Sequence, residues 1–219
     1  MQTTKDKYHS EVGNGLLVRH MEPGDAEQLE KLQKLVFPTL AEDELIRAGH
    51  YLHHLKLFPE GQFVVTDGDK VIGMTTTMRS NFDFRDYHHT FSETIAGGWL
   101  TNHDPQGEWL YGLDIGVDPA YRGQGLARLL YRARQDMAAQ LGLRGQITVG
   151  MMSGYGAVKD ELSGEEYYRQ LVAGIRKDPT LTPQMKIGFE PIALIPDYVK
   201  DPVCGNYGVL ITLDISKKV

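Results

Sequence analysis

One stretch of eleven residues restricts this chain more than any other: Val117-Asp118-Pro119-Ala120-Tyr121-Arg122-Gly123-Gln124-Gly125-Leu126-Ala127. Before it, Glu108 to Val117 alternates as a strand. After it, Leu126, Leu129, Leu130, Ala133, Met137 and Leu141 form the apolar stripe of a helix ended by Gly142. Glycines at such a junction let backbone N–H groups converge, and the helix adds its unpaired donors and the positive end of its dipole. The junction predicts an anion site with phosphate as its usual guest. Arg122 adds a charged fork at the mouth. The competing reading is a loop whose glycines only shape a turn. Two other phosphate loops do not fit. No Gly-Lys-Ser/Thr ending exists, Arg128 stands where a dinucleotide fingerprint needs a small residue, and the next strand ends Gly150-Met151-Met152 with no acidic residue.

The rest of the chain reads as elements of one sheet with helices. Leu16 to His20 predicts a strand. Pro23-Gly24-Asp25 starts a helix carrying Leu29, Leu32, Leu35 and Val36, and a second helix is expected over Glu42 to Leu57. Gln62 to Thr66 and Val71 to Met78 form a hairpin around Asp67-Gly68-Asp69. Residues 79–107 are polar, aromatic and Gly-rich, a long irregular segment of the kind that is often functional. In the strand from Glu108, the residues Trp109, Tyr111, Leu113, Ile115 and Val117 are expected on one face. Gln146 to Met151, Phe189 to Ile195 and Tyr207 to Asp214 are further strands, and Gly164 to Ile175 a further helix. No repeat or long linker divides the 219 residues, so residues 1–219 are expected to be one domain, with residues 1–14 a loosely ordered extension.

Composition narrows the partners. The net charge of −6 argues against a general nucleic-acid binder. Cys204 is the only cysteine, so no internal disulfide can form and a reducing compartment is expected. The start lacks the apolar core of a signal peptide, and no segment reaches the ~20 apolar residues of a membrane span. A cytoplasmic protein without a membrane partner is expected.

Arg122-Gly123-Gln124-Gly125-Leu126-Ala127 resembles the Arg/Gln-x-x-Gly-x-Gly/Ala signature of the GNAT acyltransferase superfamily, and Asp114-Ile115-Gly116-Val117-Asp118-Pro119 resembles its central strand. The resemblance spans about residues 15–215. It implies an α/β (α+β) fold with a mixed, mostly antiparallel sheet and helices on both faces. It also implies that acetyl-CoA is the cofactor, its pyrophosphate held at Arg122, Gly123, Gln124, Gly125, Leu126 and Ala127. Ile115, Gly116 and Val117 would hold the pantetheine arm and the acyl carbonyl. A narrower resemblance rests on Gly154-Tyr155, Ser163-Gly164-Glu165-Glu166-Tyr167-Tyr168, Asp178-Pro179-Thr180-Leu181-Thr182-Pro183-Gln184, Gly188-Phe189 and Pro196-Asp197-Tyr198. These residues resemble a GNAT branch often fused to a carbon-nitrogen hydrolase. No hydrolase domain fits in 219 residues, so a stand-alone acyltransferase is expected.

Acyl transfer to an amine meets a protonation problem. An amine of pKa near 10.4 is neutral in only about one part in 2,500 at pH 7, a deficit of roughly 4–5 kcal/mol. A base must take the proton and a donor must meet the developing oxyanion. Asp114 is the candidate base: strict alternation sets it opposite Tyr111, Leu113 and Ile115, between the uncrowding Gly112 and Gly116. The competing reading is a structural carboxylate bonded to a backbone N–H or an arginine. Glu108 and Glu93 are weaker candidates. The family's usual tyrosine, four residues before a Gly-Phe glycine, is replaced by Gln184, which makes Tyr155 the substitute proton donor to the thiolate.

Other constellations carry less. His50 and His54 have i, i+4 spacing but no evident third ligand, so no metal is assigned. Cys204 would be a nucleophile only with a paired histidine, the basis of a separate cysteine-hydrolase reading. Residues 37–60 and 79–107, rich in histidine and acid, are expected to form a pocket for a small cationic amine. The expected function is thus N-acetyl transfer to a primary amine of a small molecule or peptide, with homodimerisation left open. The runner-up is a non-catalytic acyl-CoA-binding module acting with a hydrolase.

Overall fold

Phe63-Val64-Val65 is an unbroken apolar run, and its alternate side chains enter different cores. Phe63 and Val65 pack toward one set of helical residues, Val64 toward another. A strand buried on both faces needs helices on both faces, and the computed structural model, which describes residues 8–13 and 15–219, has them. The elements are β1 (His9–Gly13), β2 (Leu16–His20), α1 (Ala26–Val36), α2 (Ala48–Leu57), β3 (Phe63–Asp67), β4 (Lys70–Ser80), α3 (Phe91–Thr94), β5 (Trp109–Val117), α4 (Leu126–Gln140), β6 (Gly145–Met151), α5 (Gly164–Val172), α6 (Leu181–Lys186), β7 (Glu190–Ile195) and β8 (Gly208–Asp214). The sheet order is β1-β2-β3-β4-β5-β6-β8-β7, antiparallel except at β5 and β6. α1 and α2 cover one face through Leu29, Leu32 and Tyr51; α4 covers the other through Leu126, Leu130 and Met137.

Several expectations need correction. The extension expected to be loosely ordered through residue 14 contains β1, which pairs with β2 from His9↔Arg19 to Gly13↔Leu16. Gly13 and Gly15 have φ 90° and 77°, and Tyr8 packs edge-on to Phe63. Residues 1–7 and 14 lie outside the described residues. The helix expected from Glu42 starts at Ala48 instead. Glu44 turns inward to accept from Lys200 N at 2.8 Å, Leu45 is extended and Ile46 is fully buried, so tertiary contacts override the local helical pattern.

The alternation expected along β5 is also broken. Thr77 pairs with Gly112 and Thr76 with Asp114, so Leu113 is an extra residue, a β-bulge that reverses the faces beyond it. Gly112 and Gly116 therefore do not share a face: a side chain at Gly112 would meet Arg134 of α4, and one at Gly116 would meet Val36 of α1. Gly112 makes room for a guanidinium rather than a ligand. That guanidinium is buried, sits 5.1 Å from the Tyr131 ring and reaches Thr75 Oγ1 at 3.4 Å. Gly112→Ala is expected to cost about 2–3 kcal/mol by overpacking, a Tm fall of about 4–12 °C. Gly49→Ala, on α2 with nothing near its added carbon, should leave Tm unchanged or raised. Equal Tm values for the two variants in thermal denaturation would refute this account of Gly112.

Candidate active site

β5 and β6 pair from Leu110↔Gln146 to Gly112↔Thr148, and the pairing stops at the bulge. Beyond it, β5 stays with β4 and β6 with β8, so the two parallel strands part. A cavity of about 580 Å³ occupies the gap, walled by Leu113–Val117 on one side and Thr148–Met151 on the other. Arg122 and Ala127 stand at its mouth, while Phe37, Leu40, Phe91 and Val199 line it farther in.

The mouth is the glycine loop. Gly123 and Gly125 have φ 79° and 78°, left-handed values that glycine adopts without strain. Gly125 is the N-cap of α4 and no side chain caps the helix, so its first-turn amides have no capping acceptor. Nothing lies within 4 Å of a carbon added at either glycine, so the cradle is open. Asp118 braces the loop by accepting from Ala120 N and Lys70 Nζ, both at 2.9 Å, and the Lys70 hydrogen bond holds its carboxyl below the usual range. The Tyr121 hydroxyl donates to Asp67 at 2.8 Å. Arg122 is exposed, with Nε donating to Val117 O at 3.3 Å. The open donors, the arginine and the long cleft behind them fit a pyrophosphate with an extended arm.

Asp114 lies on the cavity wall with its carboxylate divided between two tasks. Oδ1 accepts from Thr76 N at 2.6 Å, filling a place in the ladder that the bulge disrupts. Oδ2 has no partner. Burial pushes its pKa up to about 6, against the opposing pull of hydrogen bonding from Thr76, the Arg134 charge and the nearby Tyr51 hydroxyl. A carboxyl so placed is ionised at pH 7 yet basic enough to take a proton. The Tyr51 hydroxyl of α2 lies near this carboxyl and donates to Gln33 Oε1 of α1 at 3.2 Å; both residues are buried, and Gln33 also lines the cavity. Sequence reasoning missed Gln33, although a polar residue inside the apolar stripe of α1 was a readable signal.

The structure separates other predicted residues from this cavity. Tyr155 packs its ring against Tyr167 and Tyr207 near Gly205, away from Asp114. Gln184 does line the cavity, its Nε2 donating to the Tyr131 hydroxyl at 2.7 Å and its Oε1 unpartnered. Glu93 is spent on the Thr90 cap and Glu108 pairs with Arg144 at 2.9 Å. The Cys204 thiol is fully buried, bonded to Asp201 O, and raised to about 12 by burial, which leaves no thiolate for nucleophilic attack.

The expected histidine pocket does not form. Of residues 37–60 and 79–107, only Phe37 to Leu40 and Phe91 line the cavity. His54 is buried against Gly98 O at 2.7 Å and lowered to about 4 by burial, His50 packs on Trp99, and His89 shares a 2.7 Å hydrogen bond with the Tyr111 hydroxyl. These rings hold the segment onto the domain. Beside the lining residues Leu40 and Val199, two loops are clasped together: Ala41 N donates to Lys200 O, and Lys200 Nζ pairs with Asp43.

Residues 26–152, which contain the cradle, the divided strands and Asp114, match the acetyltransferase (GNAT) family. The chain belongs to that family. The protein named "Uncharacterized N-acetyltransferase YkwB" of Bacillus subtilis is 30% identical over 197 residues, covering 90% of this chain and 87% of YkwB. "Probable hydrolase YhcX" of the same organism is 33% identical over 186 residues, 85% of this chain. That match spans only 36% of YhcX, so the chain covers about a third of that relative, in line with the resemblance to a hydrolase-linked branch. The structure of the GphF GNAT-like decarboxylase in complex with isobutyryl-CoA superposes with a TM-score of 0.75 over 90% of this chain and 98% of GphF, at 23% identity, and shares its fold. Among the described residues, no helix of this GNAT protein is long and apolar enough to cross a membrane.

Proposed function

We propose that this chain is an N-acyltransferase that moves an acetyl group from acetyl-CoA to a primary amine by direct attack. The observation that carries the reading is Asp114, a residue lining the cleft whose mouth is the anion cradle, with a buried Oδ2 that no protein group partners within hydrogen-bond distance. Arg122 and the amides of Gly123, Gln124, Gly125, Leu126 and Ala127 bind the pyrophosphate, and backbone groups of Ile115, Gly116 and Val117 hold the arm and the acyl carbonyl. Bound there, acetyl-CoA supplies an acyl carbon on which a C–N bond replaces the C–S bond, with one proton released from nitrogen and a thiolate as leaving group. Asp114 Oδ2 accepts that proton directly or through water. The thiol's ordinary pKa near 8.5 makes a dedicated donor dispensable, so Tyr155 keeps a packing role and Gln184 needs no acidic proton. In this reading the 219 residues act as one domain, and the acceptor is an amine with an apolar body that suits Phe37, Leu40 and Phe91.

The test is thiol release from acetyl-CoA over a panel of primary amines graded from polar to apolar. Turnover that increases with apolar character is the expected result. Tight acetyl-CoA binding with no turnover on any amine would instead favour a non-catalytic acyl-CoA-binding module.

A further inference from the structure

The inner face of α1 carries one residue that packing does not explain. Its neighbours Leu29 and Leu32 bury alkyl groups, whereas Gln33 buries a carboxamide at 1% exposure. A buried amide group is costly unless its hydrogen bonds are made. Oε1 takes the Tyr51 hydroxyl, which orients the amide and leaves Nε2 a buried donor with no protein partner, in a residue that lines the cavity. Tyr51 also lies beside Asp114, so one hydroxyl is flanked by both side chains. The placement follows from the backbone. α1 approaches β5 so closely at Gly116 that an added carbon there would meet Val36. Three residues back along α1 is Gln33, and two back along β5 is Asp114.

The two free atoms are complementary, a donor at Gln33 Nε2 and an acceptor at Asp114 Oδ2. We propose that Gln33 Nε2 donates a hydrogen bond to the acyl oxygen while Asp114 Oδ2 faces the attacking nitrogen, so that together they read the N–C–O unit of the amide being formed. This inference rests on the acyl-transfer reading above. Nitrogen and oxygen share one carbon in that unit, so one group must donate to the oxygen while another accepts from the nitrogen. The division of labour is chemically consistent. A carboxamide cannot exchange a proton at neutral pH, so Gln33 stabilises the negative charge that develops on oxygen. The proton lost from nitrogen goes to Asp114.

Gln33→Met keeps length and bulk but removes the donor. Calorimetry without any amine compares acetyl-CoA with coenzyme A. The wild type is expected to bind the acetyl form more tightly, and Gln33→Met to erase that preference while holding coenzyme A within about twofold. With an accepted amine, kcat is expected to fall about 100- to 1,000-fold, with KM for acetyl-CoA little changed. A folded Gln33→Met protein that keeps both the preference and kcat overturns the proposal. So does a wild type that binds the two forms alike. If Gln33→Met does not fold, Gln33→Glu retains the acceptor for Tyr51. Its carboxylate repels the developing charge, but its protonated form donates. The ratio of variant to wild-type rate should therefore climb as pH falls, and a flat ratio overturns the proposal. If no amine is turned over at all, the transfer reading fails by itself, and the affinity preference still decides the role of Gln33.

Discussion

Asp114→Asn is expected to lower kcat/KM by about 10²–10⁴-fold, the usual share of a positioned base. The substitution is conservative for the fold. Asn keeps an oxygen for Thr76 N and removes a buried charge that lacks a partner on Oδ2. The loss should therefore appear in rate rather than in Tm. The pH dependence makes the test specific. Burial raises the Asp114 pKa from 3.8 to about 6, so the competent, ionised form is gained as pH rises through about 6. An amine of pKa near 10 contributes its own tenfold gain in neutral form per pH unit over the same range. Wild-type log kcat/KM should rise with a slope near 2 below about pH 6 and near 1 above it. In Asp114→Asn the slope should stay near 1 throughout. A profile of unchanged shape in the variant would remove Asp114 from proton transfer. The same shift has the opposite sign for stability: the protonated carboxyl is the favoured buried form, so its contribution is present at low pH and is lost as pH rises through about 6.

Gly125→Glu is expected to weaken coenzyme A binding by about 10²–10⁴-fold, the loss of two hydrogen bonds to a charged phosphate at about 1.5–3 kcal/mol each. The charge and bulk of the glutamate are the main cause, and backbone strain is a lesser one. The N-cap of α4 sits at φ 78°, a conformation costing a side chain about 1–2 kcal/mol. The glutamate also puts a negative charge at the helix terminus where the anion would bind. Gly125→Ala separates the causes, because its added carbon meets nothing within 4 Å. It should bear the backbone strain and lose little affinity. Matching affinities for wild type and a folded Gly125→Glu, measured by calorimetry, would sink the anion-cradle assignment. A large loss in Gly125→Ala would shift the explanation to backbone geometry alone.

The parts of the fold that were legible in sequence are those whose signals are local. The strand, glycines and helix around residue 123 announce one another within a few positions, and the hairpin at Asp67-Gly68-Asp69 carries its own turn. The parts that were not legible depend on distant partners. Periodicity alone cannot show that Leu113 is an extra residue, because a bulge is defined only against β4, more than thirty positions earlier. Asp114 was singled out by an alternation that the bulge in fact reverses; it still lines the cavity, while its Oδ1 completes the ladder that the bulge breaks. Gly112 advertised open space, but Arg134 fills it from another element. Tyr155 was chosen for its place after a strand, and its ring is claimed by Tyr167 and Tyr207, which only the fold brings near. β1 escaped because His9-Ser10-Glu11-Val12-Gly13 has one apolar side chain and so no alternation, and α6 because its six residues include Pro183.

The shared carboxylate of Asp114 has one more implication. Its Oδ1 is bound to a main-chain amide, so the ionisation state of Oδ2 is transmitted into the sheet itself. Protonation drains charge from both oxygens and weakens the bond to Thr76 N. That single amide thereby becomes an internal gauge of the site, its resonance tracking the carboxyl's titration in a protein with no ligand bound. The strand β4, which lies outside the cleft, thus reports whether the cleft is ready to react.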